Sequence, residues 1–536
     1  MEPENDASEP LSSDGGEPGE WLDLGLRSQP LKMSLYDAFT LLVSLQVGSG
    51  IFSSPSQVNN HSPSPGASLI IWTLCGAIAW AGAASFAELG AAMPVNGGMQ
   101  EYLHDIYGPF LAFLASWIWI FAVKPSSMAI LSIIFAKYWT RVFAEGYEDS
   151  FWLNKLIALT ALAVIIFLNA ISMKATSRLA NFFLYLKLFT VLLLLICCLL
   201  FVVFGLHLGT TAPNWDWKSE NWFSVRAAGQ DNSSIDWSTA GVWAMVGELT
   251  MAFYAGLWAY AGWDNANMVA GEMQNAAQEL PTAIHTAVPT VIICFLLANV
   301  SYYILIPWNE IGTSDTVAEM AGQKILGKAG AIVFALLVSA ACLGSININV
   351  FTTARLTISA ANKGHLPAAL KESRCNFSEN QPTQPQTSSD GERPQGRNFF
   401  TSILGLFGKG PLWVTPIKSM LFNGAVTSVY IMVGTFGALV TFIGIAEYVF
   451  FFFTVLGLLV LRAKRPLMPR PYRAFVGLPL IFTLTSLILV VRGAIAAPIQ
   501  GTAIALLLLF GTAWHAHSNY DGVTWWRRAR YERIPA

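Results

Sequence analysis

Residues 48–55, Gly48-Ser49-Gly50-Ile51-Phe52-Ser53-Ser54-Pro55, interrupt an apolar run at 36–58. Residues 253–264, Phe253-Tyr254-Ala255-Gly256-Leu257-Trp258-Ala259-Tyr260-Ala261-Gly262-Trp263-Asp264, interrupt another at 242–271. Glycine-broken helices at corresponding places in two halves of a membrane chain point to a transporter site. With five helices to each half, the first run pairs with the sixth. One starts inside and the other outside, so the halves are expected to be inverted repeats. Glycines also serve close helix packing, but two matched interruptions favour a site.

The surrounding composition sets the solvent. Of 536 residues, 54% are hydrophobic and only 12% are charged, about half the charge of a soluble domain. A surface so poor in charge faces lipid. The net charge of -2 supplies no basic field for nucleic acid. Cys75, Cys197, Cys198, Cys294 and Cys342 lie in apolar runs and Cys375 in a polar stretch, with neither disulfide nor zinc spacing. No metal or cofactor is expected. The N-terminus is acidic through about Ser28, unlike a cleavable signal peptide.

A hydrocarbon core about 30 Å thick needs about 20 apolar residues in a helix. Twelve runs fit: 36–58, 67–93, 109–140, 152–171, 180–206, 242–271, 284–306, 330–360, 417–434, 436–461, 475–492 and 499–516. Only helices satisfy their own backbone over such lengths in lipid, since barrel strands are shorter and alternate. The expected fold is therefore an all-α integral membrane protein of twelve transmembrane helices. With the N-terminus inside, 21 Lys and Arg fall on the inner side and 7 on the outer. The positive-inside rule then puts both termini in the cytosol. Residues 1–34, the Gln/Pro/Ser-rich insert at 373–398 and the tail 517–536 read as flexible cytoplasmic segments. The outer loop at about 207–241 is rich in Trp, as at a membrane interface, and holds the glycosylation sequon at Asn232.

A helix broken in mid-membrane exposes backbone N–H groups at the start of one half and C=O groups at the end of the other. Two such breaks facing each other can hold both charges of an amino acid headgroup with backbone alone.

The two quoted stretches resemble the first- and sixth-helix signatures of the L-type amino acid transporter family in the amino acid-polyamine-organocation superfamily. Phe86-Ala87-Glu88-Leu89-Gly90, Lys124-Pro125-Ser126-Ser127, Lys174-Ala175-Thr176-Ser177-Arg178, Gly364-His365-Leu366-Pro367 and Arg470-Pro471-Tyr472 are similar to further family motifs. The likeness runs over roughly 35–515, and the combination resembles fungal members, which include permeases for methionine and large neutral amino acids. It implies a LeuT-like permease domain at 35–516. Repeat one would span about 36–206 and repeat two about 242–461, with two extra helices at about 475–516.

The resemblance also implies site residues. The substrate carboxylate would meet Gly48, Ser49, Gly50 and Ile51. The ammonium would meet carbonyls near Gln46 and at Trp258, Ala259 and Ala261. Trp258 would be the aromatic gate. Asp264, Ser345, Asn347, Glu447 and Tyr448 would form the side-chain pocket. Lys187 matches a lysine whose ammonium sits where sodium-coupled relatives bind a cation, which implies sodium-independent transport. Lys124 and Glu88 match motifs near helix ends and read as structural or gate-related, and Glu248 as solvated. Many family members carry amides at the positions of Asp264 and Glu447. Relatives that take cationic substrates often have an aspartate in place of Ala261.

Animal light chains of the family join a single-span glycoprotein through a cysteine between helices three and four. Residues 141–151 contain none, so no disulfide-linked heavy chain is expected. Seven histidines without a His-Glu-x-x-His or carboxylate-histidine cluster argue against a membrane enzyme, and no filter-like loop argues for a channel. The expectation is alternating-access transport of large neutral L-amino acids, methionine included, at the plasma membrane. Cationic amino acid or polyamine substrates and a transporter-like amino acid sensor stand as alternatives.

Overall fold

A computed structural model describes residues 34–370 and 417–520, apart from 96, 145, 148–149, 172, 210–212, 220, 226–234 and 269. The N-terminal tail up to residue 33, the insert at 373–398, the sequon at Asn232 and residues 521–536 lie outside the described residues. Among the described residues there are helices and no strand.

Ser34 opens α1 (Leu35–Gln46) with a reciprocal cap. Its hydroxyl accepts from the Asp37 amide at 3.3 Å, and the Asp37 carboxylate accepts from the Ser34 amide at 3.0 Å. At Val47 the backbone leaves helical geometry (φ -74°, ψ 77°). The chain restarts as α2 (Gly50–Asn60), bent 46° from α1. Next come α3 (Pro65–Ala92), begun by the Ser64 cap and a proline, and the short α4 (Met99–Tyr107).

Helices α5 (Pro109–Ile118) and α6 (Lys124–Phe143) form one long span joined through a π-turn at Trp119–Val123. Its cause is Pro125. Proline offers no N–H and crowds the carbonyl four residues back, so the ladder slips and the Lys124 amide donates to the Trp119 carbonyl instead. The Phe121 carbonyl that Pro125 cannot serve accepts the Tyr430 hydroxyl at 2.9 Å.

The chain continues through α7 (Phe151–Ile171) and α8 (Met173–Phe204) to α9 (Val242–Ala259), which breaks at 260–264 before a single turn, α10 (Asn265–Met268). Then follow α11 (Ala276–Leu305), the short α12 (Trp308–Ile311) and α13 (Val317–Asn362). Gly327, at φ 64° and ψ -150°, divides α13 into two helices, and the chain turns there sharply enough that a Cβ on Gly322 would stand 2.6 Å from the Gly330 carbonyl oxygen. Last are α14 (Ile417–Val433), α15 (Phe436–Lys464), α16 (Gly477–Ala496) and α17 (Pro498–Tyr520).

Ten helical spans among the described residues are long and apolar enough to cross a bilayer, and the bent pair α1–α2 makes an eleventh. The 17-residue α14 occupies the place of the ninth expected run and falls just short of that length. Its reach is about 26 Å at 1.5 Å per residue.

Two packed groups enclose the centre. One gathers α1, α2, α3, α9 and α11, and the other gathers α6, α7, α8, α13 and α14. Helices α15, α16 and α17 pack alongside. The outer face of α16 exposes Leu480, Ile481, Leu484, Leu487, Ile488 and Val491, an apolar flank suited to lipid. Polar groups turn inward. The fully buried Glu88 carboxylate at the end of α3 pairs with Arg462 and with Arg470 (Nε–Oε1 3.6 Å), and accepts the Ala474 amide at 2.8 Å.

Candidate substrate-binding site

Both helix breaks meet at one place. A Cβ built on Gly50 would lie 2.6 Å from the Ala259 Cα and 3.4 Å from the Trp258 ring, so only glycine lets the start of α2 approach the end of α9. Across the same seam Gly262, at φ +105°, turns its backbone against Leu45, where a Cβ would stand 3.2 Å from the Leu45 Cβ. The sharp reversal and the close approach both need a residue without a side chain.

Beside this seam is a cavity of about 110 Å³, well above the roughly 10–15 Å³ that one water needs. Gln46, Gly48, Ser49 and Gly50 line it from the first break, and Trp258, Ala259, Ala261, Gly262, Asp264 and Asn265 from the second. The Gln46 side chain is buried, and neither its Oε1 nor its Nε2 has a hydrogen-bond partner. Such an unmet polar group is costly unless something fills the space it faces. The Ser49 hydroxyl caps no backbone amide and lies beside the Cys342 thiol. At the start of α2 the Phe52 amide already donates to the Ser49 carbonyl at 3.0 Å, but the Gly50 and Ile51 amides precede any carbonyl of their own helix that they could reach, so the wall at Gly50 offers donors to an anion.

The opposite wall comes from α13 and the π-turn. Ser345, Ile348, Asn349 and Thr352 line the cavity at positions i, i+3, i+4 and i+7, one stripe of a helix. Trp119, Val123, Lys124, Ser127 and Leu131 line it from the α5–α6 span, and Glu447 from α15. Lys124 interacts electrostatically with both Asp264 and Glu447. Behind Ser345 stands Lys187, 1% exposed. Its ammonium donates to the Ser345 hydroxyl at 2.8 Å and to the Ser44 carbonyl at 3.5 Å, tying α8 to α13 and to the end of α1.

The sequence of this site and its surroundings matches a protein-family model described as amino acid permease over residues 33–512. The chain belongs to the amino acid permease family. The permease is 30% identical to the human b(0,+)-type amino acid transporter 1, across 87% of its own length and 83% of that protein. It is 27% identical to the human cystine/glutamate transporter, across 94% and 88% of the two chains. Its identity to the human Asc-type amino acid transporter 1 is also 27%, across 92% and 86%. These relatives are transporters and not enzymes.

Three residues expected at the permease's pocket are placed elsewhere. Asn347 is turned away from the stripe that Ser345 begins, and its side-chain oxygen accepts from Asn169 at 2.8 Å. Ile51 is fully buried in the core. Tyr448 packs its ring on Phe451 and Phe482. None of the three lines the cavity. Trp258 does, with its ring edge-on to Phe436 at 5.6 Å between centroids.

Other residues emerged only in three dimensions. Lys124, read from sequence as structural or gate-related, lies in the cavity wall because the π-turn rotates it there. The proline at 125 was the available signal. Asn349 and Thr352 could have been found by continuing the helical period from Ser345. Glu248, expected to be solvated, is partly exposed and also has the His61 imidazole at 2.6 Å.

Proposed function

We propose that this permease carries large neutral L-amino acids, methionine included, across a membrane by alternating access and without sodium. The observation that supports this most directly is the seam at Gly50 and Ala259, where two broken helices present backbone to one small cavity. In this reading the substrate carboxylate sits at the α2 start by Ser49 and Gly50. The ammonium sits against the carbonyls of the α1 and α9 ends, near Gln46 and at Trp258, Ala259 and Ala261, and Trp258 covers it. The two halves act as inverted repeats about this point. Lys187 holds its ammonium against the Ser44 carbonyl and Ser345, which supports its role as a fixed substitute for a transported cation.

The preference for neutral side chains follows from the aromatic and aliphatic parts of the wall, Trp119, Val123, Leu131, Trp258 and Ile348. A second reading, cationic amino acids or polyamines, has support from two carboxylates facing a single ammonium in that wall. We place the permease in the plasma membrane with both termini cytoplasmic, and without a disulfide-linked heavy chain. Uptake of a radiolabelled amino acid panel into proteoliposomes tests the reading. Methionine and leucine should enter equally well in sodium and in choline buffer. Uptake that requires sodium would contradict the role given to Lys187, and preference for lysine or polyamines would favour the second reading.

A further inference from the structure

A second cavity, of about 370 Å³, lies apart from the substrate site and shares no lining residue with it. It is more than three times as large as the first and falls within the roughly 300–1,000 Å³ of small-molecule sites. The end of α2, the middle of α9, the start of α15 and the α16–α17 connection enclose it, at the end of α15 opposite Arg462. It is hollow because small residues face it: Ala255 on α9, Gly437 and Ala438 on α15, and Ala496 and Ala497 at the end of α16. Pro498 and Ile499, both exposed, stand at its mouth.

The polar groups of this cavity are mostly acceptors. Gln57 on α2 donates its Nε2 to Asp315 at 2.9 Å, and its Oε1 turns to Gly437, where a Cβ would stand 2.9 Å away. The Thr441 hydroxyl gives its hydrogen to the Gly437 carbonyl at 3.1 Å or to the Met251 sulfur at 3.6 Å, so lone pairs are what it presents. His61 brings the Glu248 carboxylate with it, 2.6 Å from its Nδ1. Gln500 offers an amide of both kinds. Among the described residues, no lysine or arginine lines the cavity. Walls of alanine, valine, methionine and isoleucine beside such an edge fit an apolar body that carries an ammonium. A phosphate headgroup, all acceptor, finds no cation here, and a hydroxyl brings a single donor.

Helices α2 and α9 also wall the substrate site. Gln57 lies about two turns beyond Gly50 and Ala255 about one turn before Ala259, and Phe436, next to Gly437, meets the Trp258 ring edge-on. Gln57 belongs as well to the contact that ties the two packed groups together. Asp315 accepts the Ser56 hydroxyl at 3.0 Å and the Gln57 amide from α2, and pairs with Lys137 from α6. The α2 wall of the second cavity is thereby set by its tie to α6. Alternating access requires that tie to part, so a ligand that fits the cavity in its tied form opposes the parting. We infer that this second cavity binds an amphipathic amine, and that the bound amine slows transport without competing with substrate. The slowing rests on the transport reading above; the binding does not.

Radiolabelled diphenylpropylamine, with diphenylpropanol and diphenylpropionate as competitors of the same body, tests this on the purified full chain. The amine should bind, stay bound in saturating methionine or lysine, and yield to the alcohol and the acid only at higher concentrations. In proteoliposomes it should lower the maximal rate of amino acid uptake and leave the half-saturating concentration unchanged. Ala438→Phe and Ala497→Phe fill the cavity from two different elements and touch none of the substrate site. Each should keep its uptake and bind the amine at least about tenfold more weakly. Displacement by methionine or lysine would put the amine in the substrate cavity and overturn the inference. So would no binding at all, unweakened binding in whichever of the two variants folds, or an uptake rate that bound amine does not change. Diphenylpropanol or cholesterol binding as tightly as the amine would make the occupant a neutral lipid and overturn it too. Bound amine on a protein that takes up no amino acid would remove the transport reading and leave the binding site standing.

Discussion

Gly50 carries the most demanding packing in the site. Its missing side chain brings two polypeptide backbones within reach of one ligand, and any added Cβ meets the Ala259 Cα at 2.6 Å. Overpacking of this kind costs about 1–3 kcal/mol, and here the cost falls on the seam that shapes the cavity. Gly50→Val should lower methionine uptake at least about tenfold, the factor that 1.4 kcal/mol produces, while the protein still elutes as a single species on size exclusion. Uptake at the unaltered level would remove the seam from the binding site. The glycines at 48, 50 and 262 were legible as a break because helix interiors disfavour glycine. Which neighbour each glycine faces was not legible, because nothing along the chain joins residue 50 to residue 259.

Among the elements, the α5–α6 span illustrates how a local rule becomes a site. Pro125 breaks the hydrogen-bond ladder, the π-turn absorbs the slip, and Trp119, Val123 and Lys124 come to line the cavity. Pro125→Ala restores the missing donor. It should let the turn relax toward a regular helix, withdraw Lys124 from Asp264 and Glu447, and raise the half-saturating methionine concentration several-fold. A concentration series on the reconstituted variant measures this, and an unchanged value would mean that the π-turn is maintained without the proline. The stripe Ser345, Ile348, Asn349 and Thr352 obeys simple helical spacing, yet from sequence alone Asn347 was an equal candidate. A 3.6-residue period gives the relative angles of side chains but not the absolute rotation of a helix buried on several sides. That rotation came from Asn169, which engages Asn347 from α7.

Across the whole molecule, the accessory helices are fastened to the bundle through a charge buried away from water. Glu88 receives Arg462 from α15 and, from the connection to α16, Arg470 and the Ala474 amide. Removing one partner of a buried pair costs about 3–5 kcal/mol because the other is left uncompensated. Glu88→Gln should therefore lower the thermal midpoint of the detergent-solubilised protein markedly, and adding Arg462→Met should recover part of the loss. If the double variant is no more stable than Glu88→Gln, the pair is not what joins these helices.

The sequence by itself determined the solvent, the helical class, nearly every span and the two points where helices fail, because hydrophobic length and glycine or proline content act through neighbours along the chain. Only the tertiary structure decided that the two failures touch, that Lys187 reaches Ser345, and that Lys124, Asp264 and Glu447 share one cavity. Those are contacts between residues far apart in sequence, and they depend on how each helix is rotated and seated against the others, which no local pattern encodes.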